Sequence, residues 1–329
     1  MEHQFIKSAK YVNLGLAALS KRAVLPNVFK KIGGGVFAHA LNDTITWRTN
    51  RVTRARDYEW RTRTAPIILD RITQTVVDIK LDTHIYQGVP LTDEQMTLDV
   101  ANFATEIVSP QVDALIDRAE SKVVLGLRNA DFKTPLPAFY ESDDPYRWAL
   151  NARAILNSNA APKDRVILAG AGVEAWLLQS QRVASQLATI ENSNAIREAT
   201  LGRLAGMDII VSPALMDDEV YVVTRDALII ANVAPSVPRG VTDGARARYQ
   251  GWDLRHIFQY DKDYLQDASV LSTFLGVNSV NDELEWERDA TSGMWQIKLD
   301  GTTGEPIATG KNVRGTKGTL LAGNRPPTP

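Results

Sequence analysis

The sequence predicts an α+β fold, with helices and strands in separate runs as well as locally alternating. Three stretches predict it. Gln74 to Ile85 alternates polar and apolar residues, Thr92 to Asn129 carries a helical apolar stripe, and Asp144 to Ala231 mixes short helical and strand-like segments.

Taken in order, the first regular pattern is an excursion. Thr75, Val77, Ile79, Leu81, Thr83 and Ile85 alternate with Gln74, Asp78, Lys80, Asp82 and His84. Period two over this length predicts one long strand with a single buried face. A shorter alternating run, Ile45, Trp47 and Thr49, lies upstream. Between the two sit Arg48, Arg51, Arg54, Arg56, Arg61 and Arg63, relieved only by Asp57 and Glu59. With few large apolar residues the tip cannot build its own core, so a β-hairpin projecting from the body is predicted. Two chemistries suit its arginines: binding nucleic-acid phosphates, or pairing with carboxylates of a neighbouring subunit through the planar guanidinium fork. A solvated basic loop is the plain reading. No lysine occurs between Lys31 and Lys80, so arginine alone carries this charge.

The helix follows. Thr92 and Gln95 have the spacing of a capping box, and Asp93 and Glu94 place negative charge where the helix dipole favours it. Met96, Val100, Phe103, Ile107, Val112, Leu115, Ala119, Val123 and Leu127 recur along one face. Continuous over 92–128, the helix has roughly 35 residues and a length on the order of 50 Å. Pro110 removes one hydrogen bond and is the expected kink; two ordinary helices broken there are the alternative.

In the second half, Asp144-Pro145 reads as an N-cap and first helical position, opening a helix to Asn157. Val166–Ala169, Met207–Val211, Val220–Thr224 and Leu228–Ala231 read as strands, and Val173–Gln181 as a helix. Tyr249–Tyr260 and Ser269–Val277 read as strands returning to the first-half sheet. Trp286 and Trp295 flank a turn and suggest a hairpin. From Thr309 onward Gly, Lys, Arg and Pro dominate, and an extended tail is expected, free or laid on a partner.

Composition bounds the function. At 329 residues and 44% hydrophobic the chain can bury one or two cores, and a formal charge of −2 excludes a bulk nucleic-acid binder. The first 31 residues are locally basic: Lys7, Lys10, Lys21, Arg22, Lys30 and Lys31 stand against Glu2. Such an arm contacts nucleic acid or an acidic partner, or is a solvated tail. Cysteine is absent, which excludes disulfides and thiolate chemistry and suggests a cytosolic assembly site. Neither a signal-peptide pattern nor a run of about 18 apolar residues occurs, so no membrane partner is expected.

Enzyme-like motifs are few. Gly170-Ala171-Gly172-Val173-Glu174-Ala175 matches a dinucleotide fingerprint, with Glu191 about 20 residues on. The acid should end a second parallel strand, whereas 186–192 is polar and reads as loop; small residues at a strand-to-helix turn explain the motif without a cofactor. Gly33-Gly34-Gly35 lacks the Lys-Ser/Thr of a phosphate loop and reads as a hinge. His3, His39, His84 and His256 have no metal-ligand spacing. Asp217, Asp218 and Glu219 suit a cation or a solvated loop. No Gly-x-Ser-x-Gly elbow occurs. Neither cofactor nor metal is expected.

The order of parts, together with Leu25-Pro26-Asn27-Val28-Phe29, Val89-Pro90-Leu91-Thr92-Asp93-Glu94-Gln95, Ile107-Val108-Ser109-Pro110-Gln111-Val112 and Gly202-Arg203-Leu204-Ala205-Gly206-Met207-Asp208, resembles tailed-bacteriophage major capsid proteins of the Hong Kong 97 capsid fold. The words are similar to the coat-protein branch of short-tailed enterobacterial phages and their actinobacterial relatives, over residues 10–280. The resemblance implies an N-terminal arm (1–39), an extended loop (40–68), a peripheral domain (69–140 and 254–280) with a spine helix (92–128), and an axial domain (141–253). Residues 281–329 are a hairpin and tail about which the family says little. Some members insert a β-domain in the axial domain; the interval from Ala214 to Gln250 leaves no room for it. The implied function is structural and non-enzymatic: a homo-oligomer of hexamers and pentamers forming an icosahedral head around double-stranded DNA, held without sequence specificity. Portal, scaffolding and possible decoration proteins are the implied partners, the virion is the implied location, and the host cytoplasm the implied assembly site. An encapsulin-type compartment shell and a dinucleotide-dependent oxidoreductase are the alternatives. Relatives that crosslink do so through a loop lysine, which this loop lacks, so a non-covalent shell is expected.

Overall fold

The computed structural model describes residues 8–33, 43–50, 58, 60–63, 66–67, 74–92, 104–179, 202–241, 243–261, 266–284, 286–290, 293, 295–298 and 308–323. The chain opens with helix α1 (Ser8–Arg22), whose Tyr11, Val12, Leu16 and Leu19 are buried and whose Lys21 and Arg22 fall in the last turn, where the dipole favours cations. A single turn, α2 (Leu25–Val28), leads into strand β1 (Lys30–Gly33). Residues 8–33 therefore do not form a separate arm. Their apolar face is part of the main core, together with the helix of residues 109–129, because burying that many large side chains outweighs their basic charge.

Strands β2 (Thr44–Asn50) and β3 (Gln74–Lys80) pair antiparallel, with Trp47 opposite Val77, as the alternation predicts for a hairpin. The single long strand does not hold. It breaks at Leu81 and Asp82, and β4 (Thr83–Thr92) joins a different sheet. Lys122 Nζ donates to Asp82 at 2.7 Å and fixes the break. At Gly276 a Cβ would collide with the Lys80 carbonyl, so only glycine allows that close crossing.

Thr92 is the last residue of β4 and pairs with Gln266; the rest of the expected capping box, 93–95, lies outside the described residues. Buried Ile85 and Leu91 draw the whole segment into the sheet, and Pro90 is tolerated because β4 is an edge strand. Gln95, Met96, Val100 and Phe103 lie outside the described residues. Helix is described from Ala104: a π-turn (Ala104–Val108) runs directly into α3 (Ser109–Asn129). Pro110 sits in the first turn of α3, where its missing N–H is least costly. The break is a change of helical pitch at that point, and π-turns accompany such interruptions.

After β5 (Phe139–Tyr140), helix α4 (Pro145–Ser158) starts as expected: the Asp144 carboxylate accepts from Tyr146 N–H at 3.2 Å. Then come β6 (Arg165–Ala169), α5 (Ala171–Gln179), β7 (Arg203–Leu204), β8 (Met207–Val211), β9 (Glu219–Thr224), β10 (Leu228–Val233), β11 (Asp243–Tyr249), β12 (Trp252–Asp261) and β13 (Gln266–Ser279). Short strands follow: β14 (Asp282–Leu284), β15 (Trp286–Arg288), β16 (Trp295–Ile297), β17 (Ala308–Lys311) and β18 (Gly315–Leu321). β15 and β16 pair antiparallel.

Two six-stranded sheets organise the body. One runs β1-β10-β13-β12-β11, with β4 on the other edge of β13. Its inner face carries Leu254, Leu271 and Leu275 against α1 and α3. The other runs β5-β18-β9-β6-β8-β7 and packs Ile167, Ala169, Val220 and Val222 against Trp148, Leu156 and Trp176 of α4 and α5. The chain crosses between sheets at Thr224–Leu228, so β10, β11 and the start of β12 belong to the first sheet. An axial unit of 141–253 is too long at that end. The tail is also corrected: β18 lies antiparallel on β9 and parallel to β5 in its own subunit. Few apolar residues suffice there because an existing sheet edge supplies the hydrogen-bond partners.

Candidate assembly surfaces

The hairpin is anchored on one face and open on the other. Ile45, Val77 and Ile79 are buried with Ile32, Ile229 and Ala231 in a small separate cluster, and Lys30 Nζ lies 4.3 Å from the centre of the Trp47 ring. The outer face carries Thr46 Oγ1 donating to Asp78 at 2.8 Å. This arrangement fixes the root of the hairpin.

Of the six predicted arginines, Arg48 lies on β2 opposite Val76. Arg61 and Arg63 are exposed at the tip. Arg51, Arg54 and Arg56 lie outside the described residues. The tip also presents what the charge pattern concealed. Trp60 is 66% exposed, beside exposed Tyr58 and Ile67, and the Arg61 guanidinium stands 5.1 Å from the Trp60 ring centre. Arg63 has φ of 47°, a left-handed conformation that turns the chain. An isolated tryptophan in an arginine-rich, core-less stretch was the signal available in sequence. Of the glycines, Gly33 ends β1 opposite Asn232 and is held in the sheet, while Gly34 and Gly35 lie outside the described residues.

The dinucleotide-like turn is closed by its own chain. Val173 N–H donates to the Asp217 carbonyl and Gly170 N–H to the Glu219 carbonyl, both at 3.0 Å. A Cβ at Gly170 would collide with the Met216 carbonyl, and one at Gly172 would come within 2.8 Å of Asp217 O. The glycines serve close backbone packing, and the helix end has no opening for a pyrophosphate. Glu191 lies outside the described residues.

The acidic cluster is partly structural. Arg128 Nε and Nη2 donate to Glu219 at 2.8 and 2.9 Å, tying the spine helix to the second sheet. Burial alone would raise the Glu219 carboxyl, but Arg128 and the Met216 N–H hold it below the usual range. Burial, with Glu219 adjacent, pushes the Tyr221 hydroxyl up to about 12. Among the described residues no group of His, Asp or Glu is arranged to hold a metal ion. His256 is buried, with Nδ1 3.1 Å from Ser8 Oγ and Nε2 2.8 Å from Ser269 Oγ. It acts as a bolt between α1 and the sheet.

No family model matches the sequence, and no curated protein matches it. Solved structures do. A structure from Mycobacterium phage Che8 is 15% identical with a TM-score of 0.55, over 90% of this chain and 91% of that one. The capsid structure of cyanophage P-SCSP1u is 10% identical with a TM-score of 0.55, over 92% and 89%. The head structure of Helicobacter pylori bacteriophage KHP40 is 10% identical with a TM-score of 0.51, over 84% and 85%. At such identities the likeness establishes the fold, which is that of phage capsid subunits.

Proposed function

We propose that this chain is a major capsid protein of a tailed bacteriophage. Many copies close into the hexamers and pentamers of an icosahedral head around double-stranded DNA. The observation that carries the reading is likeness to phage capsid structures over about nine-tenths of both chains. A hairpin rooted in the body with an exposed aromatic and cationic tip supports it, because a shell subunit must reach a neighbour. The near-neutral charge suits a container that holds DNA without gripping its phosphates. The chain acts in the virion and assembles in the host cytoplasm, alongside portal, scaffolding and possible decoration proteins. The short-tailed enterobacterial branch is the finer placement, resting on the sequence words 25–29, 89–95, 107–112 and 202–208. The hairpin arginines make the contacts between subunits, and no catalytic residue is assigned.

Expression of the chain followed by negative-stain microscopy tests the reading. Closed shells of uniform size are expected. A soluble monomer under all assembly conditions overturns it, and shells that enclose protein cargo instead of nucleic acid favour a compartment shell.

A further inference from the structure

A pocket of about 370 Å3 opens beside the start of α4. Its floor is apolar: Leu136, Phe139 and Trp148 line it, and the Phe139 and Trp148 rings pack tilted by 42° with centres 5.0 Å apart. Its rim is acidic, with Asp143 and Asp144 against Arg147 alone. Both carboxylates are held in place, Asp143 by the Tyr140 N–H at 3.0 Å and Asp144 by the Tyr146 N–H. Trp148 is 5% exposed, and its Nε1 is buried without a hydrogen-bond partner.

The complementary shape is on the same chain. Trp60 and Arg61 form an exposed aromatic–cation pair, the residue types concentrated at interface hot spots. Arg61 and Arg63 are both exposed beside Trp60 in the chain, so the described tip is basic where the rim is acidic. The volume is at the small end of ligand pockets, about 300–1,000 Å3, and matches one indole with an adjacent guanidinium. We infer that the pocket receives Trp60 and Arg61 of a second copy of this chain. The indole covers the apolar floor, and the guanidinium meets Asp143 and Asp144. The inference rests on the shell reading and names the receptor for the hairpin. A tip-to-pocket contact is head-to-tail, and repeated around an axis it closes a ring.

The absence of cysteine supplies the test. Thr62→Cys with Asn151→Cys places thiols on the exposed tip and on the exposed pocket wall. Particles of the double variant, oxidised with diamide for a fixed time, are run on non-reducing denaturing gels. Linked chains reaching five and six are expected, with none from either single variant. Thr62→Cys with Leu125→Cys, on the exposed side of the spine helix, is the control pair and stays unlinked. Intact particles without linked chains, linkage that stops at dimers, or equal linkage in the control pair overturns the pocket and leaves the shell reading standing. Failure of the unmodified chain to form particles removes the shell reading, and the inference with it.

Discussion

His256 sits fully buried where three elements meet. Ser8 of α1 and Ser269 of β13 contact its ring nitrogens, and Gln111 of α3 donates to the Ser269 carbonyl at 2.8 Å. Burial pushes its pKa down from 6.5 to about 4, with Asp243 pulling the other way. The folded subunit therefore holds the ring neutral, while the unfolded chain takes up a proton first as pH falls. Stability is full above about pH 6.5 and declines toward pH 4, by roughly 2–3 kcal/mol. The urea midpoint of unassembled subunits should fall across that window, and His256→Gln should flatten the fall. Carboxylates held low, such as Asp82 and Glu219, lose their contribution only at more acid pH, so an unchanged slope in the variant would count against the bolt. In sequence His256 is one of four scattered histidines, because partners 248 and 13 residues away leave no local spacing to read.

Among elements, those with local signals were legible. The Asp144-Pro145 start of α4, the alternation of the hairpin strands and the apolar stripe of α3 each follow from neighbours in sequence. Misreadings arose where a distant partner decides. Ten β4 residues, Thr83 to Thr92, pair with β13, and no spacing within that segment announces the partner. The alternation through Leu81 is unbroken in sequence, but Gly276 and Lys122 divide the segment in space. The turn at Gly170 and Gly172 fits a cofactor fingerprint, and only the carbonyls of Met216 and Asp217 reveal what the glycines accommodate. Gly170→Ala should cost about 1–3 kcal/mol through overpacking, read as a lowered melting temperature. The same measurement with NAD added to the unmodified protein should give no shift; a saturable stabilisation would revive the dinucleotide alternative.

At the scale of the whole molecule, the proposed shell draws on the hairpin tip, where Trp60, Arg61 and Arg63 are exposed. Reversing Arg54, Arg56 and Arg61 together to Glu should abolish shells while circular dichroism and the melting temperature stay near those of the parent. Normal shells from that variant would mean that these arginines are only solvated. Mature particles should dissolve to single chains on denaturing gels, since Ile32 to Ile79 holds no lysine to link; a ladder of joined chains in the unmodified protein would contradict a non-covalent shell. The tail contributes to the subunit itself: β18 covers the edge of β9, so the second sheet is completed by the last strand of the chain.

By itself the sequence determined the α+β class, the alternation that pairs β2 with β3, the apolar stripe of α3, and the absence of any thiol. These follow from periodicity and composition, which act over a few residues. Only the tertiary structure decided that residues 8–33 and 315–321 belong to the body, that the strand divides at Leu81, and that Trp60 stands exposed while an acidic pocket waits beside α4. Each of those depends on sheet edges and burial supplied by segments far away in the chain, and no local pattern encodes which distant edge will be free.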